Sequence, residues 1–363
     1  MKTSKYPSFL HSTVEAFNSF LFVPKTVTTK GAHIRDCNDL KRVMILVVIA
    51  LVPCMLFGMF NVGVQHFRAL EGSDYDLLAH FWPIFWYGFL KVLPLLLVSY
   101  IVGLGIEFGV AQARGHEVNE GYLVTGFLIP LIVPVDIPLW MLALSVVFAV
   151  VLGKEIFGGT GMNIWNPALL ARAFLFFAYP AQMTGDSVWV DGFSGATPLA
   201  QWAQGTVSGD FPSLQTLFFG FYPGSVGETS TLCILIGALI LIYTGVASWK
   251  IMVSSVAGAV SICLLAGAPV ATHLLLGGFA FGTVFMATDP VTSPQTETAK
   301  WIYGFLIGAM TLIIRLFNPG YPEGMMLAIL LLNTFAPLLD HCVVAANIRR
   351  RIKRTTLNRN KDE

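Results

Sequence analysis

Apolar runs separated by short polar breaks dominate the chain, and an α-helix needs about 20 apolar residues to cross a hydrocarbon core. On that measure residues 43–60, 92–108, 139–153, 231–247, 251–267, 270–288, 301–316 and 325–339 are clear spans. The runs at 122–133 and 167–179 are shorter, giving roughly 18 to 20 Å against a core of about 30 Å. These two are expected to be half-helices, tilted helices, or helices extended by irregular backbone that lines a cavity. The pattern predicts an all-α, polytopic integral membrane protein of about ten transmembrane helices.

Composition agrees. The 363 residues are 55% hydrophobic and 12% charged, with a mean hydropathy of +0.70, so the apolar segments need lipid as their solvent. The net charge of +1 hides an asymmetry, because Lys2 to Arg42 and Arg349 to Lys361 are basic at the two ends. Both ends are therefore expected to be cytoplasmic. A basic tail next to a span holds the helix end at an anionic membrane surface, so no nucleic-acid partner is expected. No small-residue cleavage site follows the first apolar run, so no cleaved signal peptide is expected either.

An even number of crossings returns the chain to its starting side, in agreement with the basic ends. The long segment 180–230 has Asp186, Asp191, Asp210 and Glu228 but no Lys or Arg, which places it in the periplasm. Lys91 and Arg315 run against the charge rule, and each is expected to snorkel from an outer helix end. The organisation follows: a cytoplasmic segment 1–41 with an amphipathic stretch at 14–23, a first transmembrane repeat 42–179, the periplasmic loop 180–230, a second repeat 231–341, and a basic tail 342–363. Gly121 followed by Pro134, Val135 and Pro138 echoes Gly277 followed by Pro290, Val291 and Pro294. Two halves of five spans each must be inverted relative to one another, and chance likeness between apolar segments is the alternative.

The loop contains Asp191-Gly-Phe-Ser194-Gly195-Ala196-Thr197. Four residues of that kind before Pro198 read as an ordinary turn. With an aspartate six residues ahead of the threonine, the stretch also resembles the acceptor sequence at which a flavin transferase links FMN to threonine through a phosphoester. Attachment through phosphate leaves the isoalloxazine ring free for redox work, and the small Gly195 and Ala196 leave room for the nucleotide.

Further motifs carry the resemblance along nearly the whole chain: His33-Ile-Arg-Asp36, Asp39-Leu-Lys-Arg42, His116-Glu-Val-Asn-Glu-Gly121, Gly153-Lys-Glu-Ile-Phe-Gly-Gly-Thr-Gly161, Asn166-Pro-Ala168 and Arg172-Ala-Phe-Leu-Phe-Phe-Ala-Tyr-Pro180. Together they resemble the family of the B subunits of sodium-translocating NADH:quinone oxidoreductases, which also contains the D subunits of Rnf electron-transport complexes. The resemblance implies covalent FMN on Thr197 and a non-covalent riboflavin, with quinone as the electron acceptor. It implies a bacterial inner-membrane location in a six-subunit sodium pump. The implied partners are a periplasmic covalent-FMN subunit, a cytoplasmic quinone-end subunit and the flavin transferase. The resemblance also implies that NADH is oxidised on another subunit, and Gly103-Leu104-Gly105 lies within a span where no dinucleotide turn can form.

The same resemblance marks Gly103, Gly105 and Glu107 as candidates for the quinone site and Asp289, Asp340 and Glu107 as candidates for sodium. Close helix packing and helix-end capping are the alternative readings. Arg172 suits FMN phosphate or an internal salt bridge. Gly158-Gly159-Thr160-Gly161 suits an anion or a sharp turn. Cys37, Cys54, Cys233, Cys263 and Cys342 form no C-x-x-C pair, and His273 and His341 are too few for a haem site. No resident metal or catalytic side chain is expected. An Rnf-type flavin subunit and a cofactor-free transporter or channel remain as alternatives, the latter with no account of 191–197.

Overall fold

The computed structural model describes residues 28–32, 40–71, 79–114, 121–183, 197–203, 211–318 and 323–362. Among these residues every regular element is a helix and none is a strand. The amphipathic stretch at 14–23 and the motif at 33–36 lie outside them.

The described helices cluster into two units. The first holds α1 (Leu40–Glu71), α2 (Phe81–Arg114), α3 (Tyr122–Ile132), α4 (Leu139–Val150), α5 (Pro167–Ala178) and α6 (Pro180–Met183). The second holds α7 (Pro198–Ala203), α8 (Leu214–Phe219), α9 (Thr231–Tyr243), α10 (Trp249–Ala266), α11 (Val270–Leu275), α12 (Phe279–Phe281), α13 (Glu297–Phe317) and α14 (Met325–Asp362). Among the described residues five helices, α1, α2, α10, α13 and α14, are long and apolar enough to cross a membrane, and α3, α5 and α9 are shorter apolar helices. The chain is a polytopic membrane protein.

In the first unit α1 and α2 have 32 and 34 residues, roughly 50 Å each, so they overrun the hydrocarbon core or tilt within it. Pro53 and Pro94 sit inside them, tolerated because neighbouring helices shield the freed backbone. α3 and α5 are half-length, as their apolar runs predict. α4 continues into a π turn at Val151–Glu155, and Gly158, Gly159 and Gly161 then take positive φ in a tight turn. Lys91 is partly exposed and lies 4.0 Å from Asp136.

In the second unit α10 and α13 pack closely side by side and run in the same direction, Ile251 level with Gly304 and Ser255 with Gly308. Small residues let the backbones meet: a Cβ on Gly308 would fall 1.9 Å from the Ser255 carbonyl oxygen. Trp249 and Trp301 pack edge to face near the starts of both helices, where Glu297 pairs with Lys250 and with Lys300.

Three expectations need correction. Residues 270–288 do not form one span: the helix stops at Leu275, and after α12 it resumes as a π turn, Gly282–Met286. Gly277 breaks it at φ 64°, with Glu228 packed against Gly278. The segment 180–230 is not simply a loop, since it contains α6, α7 and α8. The basic tail is also not separate, because α14 runs unbroken through it to Asp362.

Each unit carries a related device. A short helix is followed by a Pro-Val-x-x-Pro turn and then by a helix ending near a buried cation, Lys154 in the first unit and Arg315 in the second.

Candidate functional site

Thr197 is half-buried and opens α7. Its Oγ1 accepts a hydrogen bond from the Ala200 amide at 3.3 Å, and its carbonyl accepts from the Gln201 amide at 2.9 Å. The threonine is thus the cap of the helix, and Pro198 occupies the first helical position, which lacks a use for an N–H. Asp191, Ser194, Gly195 and Ala196 lie outside the described residues.

The helix that follows is anchored by its apolar side. Leu199 joins Leu217, Tyr222 and Leu276 in a buried cluster, with Phe211 and Leu275 against it. Trp202, five residues after Thr197, meets the ring of His273 edge to face, with centroids 4.2 Å apart. His273 is fully enclosed, and neither Nδ1 nor Nε2 has a hydrogen-bond partner.

Arg315 lies beneath this cluster. Its Nη1 donates to the His273 carbonyl at 2.6 Å and its Nη2 to the Leu276 carbonyl at 3.0 Å. The guanidinium also stands 5.9 Å from the centre of the Phe279 ring. Snorkelling is therefore the wrong account of Arg315: the side chain is 2% exposed. It satisfies carbonyls that the broken helix leaves without intrahelical partners. Buried Glu228 lies against Gly278 in the same unit.

In the first unit, Gly103 and Glu107 share the buried face of α2, four residues apart, whereas Gly105 is exposed on the other side. A Cβ at Gly103 would fall 1.8 Å from Cζ of Tyr122. The Tyr122 hydroxyl donates to the Ser99 carbonyl at 2.8 Å, and the Tyr100 hydroxyl donates to the Leu123 carbonyl at 2.6 Å. These bonds lash the half-helix α3 to α2. Glu107 forms a buried ion pair with Lys154 on the π turn. Nearby, the Arg114 guanidinium donates to the Glu155 carbonyl at 2.9 Å. Arg172 is buried on α5 in this unit.

The remaining carboxylates are both engaged. Asp289 accepts from the Val291 amide at 3.1 Å, the Thr292 hydroxyl at 3.1 Å and the Asn166 side-chain amide at 3.4 Å. Asp340 accepts from the Gln295 and Thr296 amides at 2.8 and 2.9 Å and from the Thr296 hydroxyl at 2.6 Å. Asp340 thereby caps the start of α13 from another helix.

The structure brings together Gly103 with Glu107 and adds Lys154 and Tyr122 to them. It brings Trp202, His273 and Arg315 to the helix of Thr197. In the sequence Lys154 stands out only as part of the Gly153–Gly161 motif, and His273 only as a poor haem ligand. The available signal was chemical: Glu107, Lys154 and Arg315 are ions set in apolar runs, which need partners there.

Comparison with known proteins agrees with this architecture. The model of the NQR2, RnfD, RnfE family matches residues 27–349. The B subunit of the Na(+)-translocating NADH-quinone reductase of Chromohalobacter salexigens is 48% identical, over 96% of this chain and 92% of the relative. Its counterpart in Pseudomonas aeruginosa is 48% identical over 94% and 93%, and that of Stutzerimonas stutzeri 46% over 97% and 96%. The chain belongs to the NQR2, RnfD, RnfE family and is a relative of the B subunits of sodium-translocating NADH-quinone reductases.

Proposed function

We propose that the chain is the membrane subunit of a sodium-pumping NADH:quinone reductase and carries FMN as a phosphoester on Thr197. Electrons arrive from a periplasmic flavoprotein subunit and leave, by way of a riboflavin, to quinone. The relatives support this reading over the Rnf-type one, since the three named above are B subunits of the quinone reductase.

The observation that carries the flavin reading is the setting of Thr197. Its hydroxyl stands at a helix start, half-buried, beside a cluster that contains two orphaned imidazole nitrogens and the orphaned Nε of Arg315. Buried polar atoms in proteins are rarely left unpaired, so atoms in that state fit a polar group that the chain alone does not contain. When bound, FMN supplies the redox chemistry. The chain's own part is to hold and to shield. Thr197 provides the covalent link, Leu199 fixes its helix in the core, and Trp202 and His273 form an aromatic wall.

On the same reading, Gly103 and Glu107 with Tyr122 and Lys154 form the quinone-side constellation, and Glu107, Asp289 and Asp340 are the carboxylates for cation passage. Sodium at any of these would compete with the hydrogen bonds and the ion pair that they already accept.

The test is the intact mass and in-gel flavin fluorescence of the denatured chain, expressed with its flavin transferase beside Thr197→Ala. The expected result is an FMN-sized adduct on the parent and none on the variant. A parent chain of unmodified mass defeats the proposal.

A further inference from the structure

His273 poses a physical problem. Its ring is enclosed, both nitrogens lack partners, and phenylalanine would present the same edge-to-face surface to Trp202 without burying polar atoms. Imidazole is the costlier choice for a wall that only packs. It is nevertheless held with care: Arg315 grips the carbonyl of His273 itself and that of Leu276, fixing the last turn of α11. Leu199 and Arg315 close on Gly277 from two sides, at 2.7 and 3.3 Å from where a Cβ would stand. The other half of the contact, Trp202, is half-buried and lies on the short helix that Thr197 caps.

We propose that His273 and Trp202 form the seat that positions the flavin carried on Thr197, with Arg315 as the brace that fixes the imidazole. This rests on the reading that Thr197 carries FMN. An isoalloxazine ring has an aromatic face and an edge with hydrogen-bond donors and acceptors. A neutral imidazole beside an indole matches both, with one nitrogen donating and the other accepting. His273 and Trp202 are positioning residues: they set how the flavin lies and how strongly its two redox forms are held, and they do not link it.

The experiment uses the complete complex, co-expressed with the transferase, as parent, His273→Phe, His273→Gln, Trp202→Ala, Trp202→Phe and Thr197→Ala. FMN on the chain is read from denaturing gels. The redox potential and fluorescence polarisation of that flavin are read as the signal that Thr197→Ala removes. All variants except Thr197→Ala are expected to carry FMN. His273→Phe is expected to change the relative stability of the two redox forms about tenfold, which is about 30 mV for a two-electron couple, and His273→Gln to restore most of it. Trp202→Ala is expected to lower the polarisation, and Trp202→Phe to recover it. Parent values of both quantities in His273→Phe and Trp202→Ala, with FMN attached, overturn the seat. Absence of FMN from the parent instead removes the reading beneath it.

Discussion

Glu107 on α2 and Lys154 on the π turn after α4 pair inside the first unit, each side chain 4% exposed, although 47 residues separate them along the chain. Two charges taken out of water together are tolerable, whereas one alone is not. Lys154→Met should therefore lower stability by about 3–5 kcal/mol. The double replacement Glu107→Leu with Lys154→Met should recover most of that loss. Thermal unfolding of the detergent-solubilised protein reads both, and equal melting of the single and double variants contradicts the assignment.

Gly103 and Gly105 separate packing from ligand contact. Gly103→Ala drives a methyl into the Tyr122 ring and should displace the hydroxyl from the Ser99 carbonyl. That overpacking should cost about 1–3 kcal/mol. A Cβ at Gly105 meets nothing within 4 Å, so Gly105→Ala should leave stability equal or raise it by up to about 1 kcal/mol. If Gly105 touches quinone, its alanine variant should raise the quinone KM while melting like the parent.

The break in the second unit can be tested against a control. Gly267 (φ 67°) and Gly277 (φ 64°) share a conformation, but only Gly277 is crowded by neighbouring side chains. Gly267→Ala should cost about 1–2 kcal/mol, the penalty of a left-handed L-residue. Gly277→Ala should cost about 1–3 kcal/mol more as Leu199 and Arg315 give way. Denaturation midpoints decide it, and equal losses mean that the close approach is unimportant.

Asp340 is a cap on another helix as well as a sodium candidate. Asp340→Ala should cost about 0.5–2 kcal/mol, the range for a lost helix cap, while Asp340→Asn keeps acceptor oxygen and should lose less. Stability and the sodium dependence of quinone reduction are measured together. A raised sodium KM in Asp340→Asn at parental stability supports the ion role, whereas parallel loss of both points to the cap.

Where the sequence was a good guide, the information was local. The half-length of α3 and α5 follows from counting apolar residues against the bilayer, and the helix start at Pro167 follows from proline at a first position. The break within 270–288 was not read from the sequence: Gly277 stood out only as an echo of Gly121, and hydropathy alone saw an uninterrupted run. Arg315 was misjudged because a charge near a helix end reads the same whether it reaches out to water or turns in to carbonyls.

By itself the sequence determined the membrane class, the half-length helices and the threonine motif, because bilayer thickness and turn chemistry act on neighbouring residues. Only the tertiary structure decided that Lys154 belongs to Glu107, that Asp340 caps α13, and that Trp202, His273 and Arg315 gather at the helix of Thr197. Those pairings depend on which buried donors and acceptors meet across separate helices, and no periodicity along one helix encodes its neighbour's register.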